Sequence, residues 1–195
     1  GDLREKLDRL AKKIEPKIGS EIALQAVLSV ALAVIAILIY VAFRFEFTFG
    51  IGAVVALVHD VLITFAVVVM VSHLNIINLE MNQSFVAAIL TVVGYSINDT
   101  VIIFDRIREY MGLHPKRTRR ENMNSAINDT LSRTFSTSFT TLIVLIPMFF
   151  FGGEVIRGFV FALIVGILIG TYSSIFVAAP IAYDLEKRKE DKKNK

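Results

Sequence analysis

Asp60, Asp99 and Arg133 are the ionisable residues that stand where an apolar environment should exclude charge. Asp60 falls near the middle of the run Phe47 to Val71, which only it and His59 interrupt, and Asp99 is the one charge between Met81 and Phe104. A carboxylate at the centre of a membrane helix costs about 2.5–3.5 kcal/mol on insertion scales, so a partner, a proton or water is expected beside each. Steps of four residues align Asp60 with Gly52, Ala56 and Thr64 on one face, which must look inward. Ala88, Thr91, Tyr95 and Asn98 lie on or near the side of Asp99. Arg133 opens the hydroxyl-rich stretch TLSRTFSTSFTT, with Thr134 beside it, so that one face of this segment can stay hydrated. Arginine keeps its proton whereas aspartate need not, and burial and a nearby guanidinium pull the acid in opposite directions. A small displacement of Arg133 would therefore change whether Asp99 holds a proton, which is the physical core of a proton relay. The plainer alternative is that Arg133 snorkels to the interface and pairs with Asp129 or a lipid headgroup. His59 lies about 100° round the helix from Asp60 and suits packing as well as proton shuttling.

The elements that hold these residues follow from the apolar runs. The chain has 195 residues, 54% of them hydrophobic and 20% charged, with a mean hydropathy of +0.62. Ile22 to Phe43 carries no charge, and with the runs Phe47–Val71, Met81–Phe104, Phe135–Gly153 and Gly158–Tyr183 it gives five segments near the ~20 residues that span a bilayer. Lipid leaves helices as the reading for such segments. We expect an all-α polytopic membrane protein with helices at about 22–43, 47–71, 82–104, 132–152 and 157–182. Residues 1–21 place Leu3, Leu7, Leu10 and Ile14 at helical spacing among charges, which predicts a short amphipathic helix before Pro16 and Gly19. Residues 184–195 form a basic tail.

Charge distribution sets the orientation. Arg44–Glu46, Asp105–Thr134 and the tail hold 14 of the 21 basic residues, so that side and the C-terminus are expected to be cytoplasmic. Six further basic residues in the N-terminal segment oppose this count, and five acidic residues accompany them. Translocated domains escape the rule, so the segment is expected to follow an exported region. Asp105 and Arg106 close the third span, and a turn at Gly112 and Pro115 leads to a second polar helix that runs into the fourth. Lys116, Arg117, Arg119 and Arg120 could touch RNA, but no aromatic stacking platform accompanies them. In the fifth span Gly158, Ala162, Gly166, Gly170, Ser174 and Ala178 form a stripe of small residues, which marks a helix-packing face more often than a substrate groove.

Other chemistries lack their residues. With no cysteine and three scattered histidines, disulfides, thiolate sites and a zinc centre are excluded or poorly supplied. No GxSxG elbow and no second intramembrane histidine support a protease or other enzyme. No cofactor is expected beyond the coupling ion, a proton with sodium as an alternative. A stand-alone small-molecule transporter would need a paired repeat that five spans do not show.

The segments RFEFTFGIGAVVALVHDVLITF, VGYSINDTVIIFDRIRE, TLSRTFSTSFTTL, FFFGGEVIRGF and GTYSSIFVAAPIA, in this order over residues 16–185, resemble the membrane region of the SecF family, partner of SecD in the bacterial SecDF protein-export complex. The resemblance implies a fold related to resistance-nodulation-division transporters, in the bacterial cytoplasmic membrane, with the five helices equivalent to the second to sixth SecF spans. It implies a SecD-like partner, the Sec translocon and exported preproteins as further partners, and proton flow as the driving force. It matches Asp99 to the aspartate of a GYSxND motif and Arg133 to the arginine of a TLxRT motif, both implicated in proton passage. Asp60 matches an LxHDxxIT motif, Asp105 and Arg106 a DRIRE segment, and Gly152 and Gly153 an FGG turn. The family's first span and periplasmic domain have no counterpart ahead of residue 16, and Glu15 stands where a glycine is usual. The chain therefore reads as a shortened or redesigned SecF, in which coupling to a periplasmic domain is in doubt.

Overall fold

Lipid satisfies no backbone hydrogen bond, so each apolar run closes its own as a helix. The computed structural model describes residues 21, 24–25, 27–41, 43, 47–74, 77 and 83–193. The elements are α1 (Val27–Val41), α2 (Phe47–His73), α3 (Gln83–Leu113), α4 (Arg119–Phe151), α5 (Glu154–Ser173), a π-helical turn (Ser174–Ala178) and α6 (Ala179–Lys193). Among the described residues four helical stretches are long and apolar enough to cross a membrane, and α1 is a shorter apolar helix. The amphipathic helix expected within residues 1–21 lies outside the described residues except for Glu21.

Three helix boundaries differ from expectation, each for a local reason. The third helix, expected to end at 104, continues to Leu113 and is closed by His114 N–H donating to the Tyr110 carbonyl at 2.9 Å, with Pro115 next. The fourth, expected from 132, begins at Arg119 because Thr118 and Glu121 form a reciprocal capping box that satisfies two otherwise orphaned donors. The fifth, expected as one helix over 157–182, widens into the π turn and then runs to Lys193, taking in the tail that was expected as a separate segment. Pro180 explains the turn, since it offers no N–H to the carbonyl one turn earlier and its ring crowds that carbonyl. Between α4 and α5, Gly153 holds φ +80°, a conformation that favours glycine.

α5 is the central post and packs on α2, α3 and α4. A Cβ on Gly166 would lie 2.1 Å from Val92 Cγ2, and one on Gly170 would lie 3.1 Å from Ser96 Cβ, so α5 and α3 approach where α5 has no side chain. Gly52 does the same for α2, with the Ala178 carbonyl 2.8 Å from where its Cβ would be. Two apolar cores result. One, around Phe49, Ile103, Phe104, Ile107 and Ala178, lies toward the end that carries the charged helix extensions. The other, around Val68, Phe85, Val92, Val160 and Ile167, lies toward the opposite end. Large apolar side chains such as Leu62, Phe65, Phe135, Phe139, Phe150 and Phe176 face outward, as a bilayer requires.

Candidate functional site

Between the two cores the interior is polar. Asp60, Thr64, Ser96, Asp99, Thr100, Thr134, Ser138, Thr171, Ser173 and Ser174 are all buried there. The close approach of α5 to α3 at Gly170 brings Ser173 and Ser96 onto one side chain of α2. Asp60 Oδ2 accepts hydrogen bonds from Ser96 Oγ at 2.5 Å and Ser173 Oγ at 2.7 Å. His59 Nδ1 stands 3.0 Å from Oδ1, so the imidazole reaches the neighbouring carboxylate despite the angle between the two positions. Thr100 and Ser174 hydroxyls meet at 2.9 Å, joining α3 to the π turn. Ser138 and Thr171 hydroxyls meet at 2.6 Å, joining α4 to α5.

Asp99 is different. It is buried, yet among the described residues its Oδ2 has no hydrogen-bond partner, and the hydroxyls of Thr134 and Thr64 are equally without one. Buried polar atoms are nearly always paired, and those that are not mark places for water, an ion or a proton. Arg133, on the next helix beside the buried Thr134, makes no direct ion pair with Asp99. The arginine is exposed. It lines a recess of 470 Å³ at the charged end, with Asp105, Arg106, Glu109, Asp129 and Thr130. There Arg106 donates from Nε to Asp129 Oδ2 at 2.7 Å and from Nη1 to Glu109 Oε2 at 2.7 Å, and Nη2 also contacts Asp129. Asp129, the local partner considered for Arg133, is thus held by the preceding helix.

The structure therefore brings Arg133, Asp105 and Arg106 to one recess, leaves Asp99 buried six residues before Asp105 on α3, and puts Asp60 in a separate cluster. Asn98, expected as a supporting group on the side of Asp99, is exposed on the outer face of α3 with Thr91 and Gly94, because one residue turns the helix by about 100°. Thr134 is buried. Along the hydroxyl-rich face of α4, Thr137, Thr140 and Thr141 donate back to the carbonyls of Arg133, Ser136 and Thr137, which makes them tolerable in lipid. Ser96 and Ser173 were not singled out from sequence, although both lie in polar words, GYSIND and GTYSS, inside apolar runs.

An all-α polytopic membrane protein with a polar midlayer of two buried aspartates is the class these features define. Residues 3–188 match the family described as protein export membrane protein SecD/SecF, C-terminal. A protein translocase subunit SecF from Rhodothermus marinus is 51% identical over 175 residues, 90% of this chain and 57% of the relative. One from Rhodobacter capsulatus is 45% identical over 188 residues, 94% of this chain and 55% of the relative. Among solved structures, SecDF in its super-membrane-facing form matches with a TM-score of 0.76 and 42% identity over 86% of this chain and 22% of that one. SecDF from Thermus thermophilus, titled a translocon-associated membrane protein, matches with 0.75 and 44% identity over 83% and 22%.

The chain belongs to the SecD/SecF family of protein-export membrane proteins. It spans about half the length of the curated SecF relatives it matches.

Proposed function

We propose that this chain is the membrane domain of a SecF-like subunit of the Sec protein translocase, which assists preprotein export by letting an ion pass inward along its buried polar layer. The observation that carries this reading is the buried Oδ2 of Asp99, unpartnered among the described residues; the Arg133 guanidinium on the next helix is the counter-charge we assign to it. Protonation of Asp99 removes the charge–charge attraction, and α4 is then free to shift against α3 before the proton leaves through the recess. Asp60 and its two serine donors keep α2, α3 and α5 in register beside the path. A potential of 100 mV supplies about 2.3 kcal/mol per charge and one pH unit about 1.4 kcal/mol, enough to bias states a few kcal/mol apart.

The charged end is the cytoplasmic side of the bacterial inner membrane, as the basic residues of α3, α4 and α6 favour. A SecD-like subunit covers the outer face of α3, where Thr91, Gly94 and Asn98 offer small and polar groups that suit a helix better than lipid. The Sec channel and preproteins are the further partners, and the chain acts as a coupling subunit, not as an enzyme.

The test uses the full-length subunit with its SecD-like partner in proteoliposomes. Asp99→Asn is expected to abolish inward proton flux and export stimulation while leaving membrane insertion intact. Flux at the parental level would overturn the reading. Replacing sodium at fixed pH decides between the two candidate ions.

A further inference from the structure

Arg133 and Asp129 are four residues apart on α4, with the acid nearer the helix N-terminus, the favourable order for an ion pair on one helix. They do not pair. Asp129 Oδ2 is engaged by Nε and Nη2 of Arg106 from α3 and lies 3.4 Å from the Tyr110 hydroxyl. Arg106 is itself fixed by Glu109 and by the Tyr110 ring, whose centroid is 5.2 Å from the guanidinium carbon. Resting on the coupling role proposed for Asp99, we propose that Arg106 is a positioning residue for the relay: by occupying Asp129 it denies Arg133 its local partner and keeps that guanidinium available to Asp99.

The surroundings offer Arg133 few alternatives. The charged groups facing the recess are Asp105, Arg106 and Glu109 from α3 and Asp129 and Arg133 from α4. The Asp60 carboxylate of α2 is held by Ser96 and Ser173. α5 and the π turn present only the hydroxyls of Thr171, Ser173 and Ser174 to this layer. With Glu109 held by Arg106 as well, losing Arg106 frees the Asp129 acid next to Arg133, and the arginine then turns toward the recess and away from Asp99. The two arginines are thus linked through one carboxylate, and the state of the recess is transmitted to the buried acid without any change at Asp99 itself.

The experiment compares proton flux through the full-length subunit and its SecD-like partner in proteoliposomes for Arg106→Gln, Asp129→Asn, the double variant, Arg106→Lys and Asp99→Asn. Arg106→Gln is expected to lower flux by about two- to fivefold, the factor that an exposed ion pair is worth. Asp129→Asn alone should leave flux near the parental level, the double variant should recover it, and Arg106→Lys should fall between. A bridge that only joins α3 to α4 predicts the opposite, because Asp129→Asn breaks it as completely as Arg106→Gln does. Equal damage from both single variants, or no recovery in the double, would overturn the inference while loss of flux in Asp99→Asn upholds the coupling role. Flux retained in Asp99→Asn would instead remove the reading on which it rests. Thermal stability of each purified variant separates misfolding from a flux defect, and Asp129→Asn decides the matter even where Arg106→Gln fails to fold.

Discussion

Gly166→Ala tests whether the polar layer depends on the contact between α5 and α3. The added methyl would meet three atoms of Val92 at 2.1, 2.6 and 2.9 Å. Val92 is fully buried and, being β-branched in a helix, has no alternative rotamer to retreat into. Relief requires α5 to move outward until 2.1 Å becomes about 3.4 Å, an overpacking strain of about 1–3 kcal/mol. Alanine recovers about 1 kcal/mol over glycine in a helix, so the net loss is up to about 2 kcal/mol, toward the upper end because the clash with Val92 is severe. At Gly170 the same methyl would meet Ser96 Cβ at 3.1 Å, a contact that a few tenths of an ångström relieves, and the propensity gain leaves Gly170→Ala near neutral. Thermal unfolding of the purified protein in detergent measures both. Val92→Ala removes the two nearest atoms and should recover part of the loss in the Gly166→Ala background although it destabilises alone, a coupling of favourable sign in a double-mutant cycle. Equal stability of Gly166→Ala and Gly170→Ala would refute the packing reasoning.

Ser173→Ala leaves Asp60 Oδ2 with Ser96 as its one donor across the helices, and should cost about 0.5–1.5 kcal/mol, the net worth of a buried hydrogen bond, measured by the same unfolding assay. Parental stability in that variant would mean that Asp60 is not the anchor of this junction. Glu186, on α6 beyond the apolar part of the fifth span, is pushed up by burial, but hydrogen bonds from the Thr48 hydroxyl and the Arg119 guanidinium outweigh this and hold its carboxyl below the usual range. With the folded value depressed, its contribution is complete above the ordinary carboxylate pKa of about 4.3 and is lost as pH falls through the folded value. Glu186→Gln should therefore lower the melting temperature at neutral pH and reduce its fall on acidification. Parallel pH profiles for parent and variant would refute that assignment.

The helices were legible in sequence because lipid converts a long apolar run into a helix with little freedom left over. Their polar extensions were less so. The turn at Gly112 and Pro115 and the polar helix after it were readable from their turn residues, but the start at Arg119 depends on a cap with no apolar periodicity, and the π turn depends on how Pro180 meets the packing of α2 against Ala178. The inward face of Asp60 followed from helical arithmetic, and Gly52, Ala56 and Thr64 are buried with it. The same arithmetic could not name Ser96 and Ser173 as its partners, since they arrive from two other helices. Arg133 shows the limit most clearly: its local partner was visible four residues away, but the competitor Arg106 reaches Asp129 only after α3 and α4 have packed. Asn98 was placed near Asp99 by sequence adjacency, which a helix turns into separation.

The two buried aspartates also differ in what a change of charge would do to the bundle. Asp60 is fully buried and bound by donors from α3 and α5, with an imidazole on its other oxygen. These contacts hold three helices together, so replacing the Asp60 side chain would disturb the packing of α2, α3 and α5 at once. Asp99 has a free acceptor on Oδ2, and its counter-charge belongs to a long side chain at the edge of a recess. In the proposed mechanism a proton there would break no hydrogen bond to Oδ2. Of the two acids, Asp99 is therefore the one whose change of charge, under that proposal, would act on the α3–α4 pair and leave the contacts of Asp60 in place.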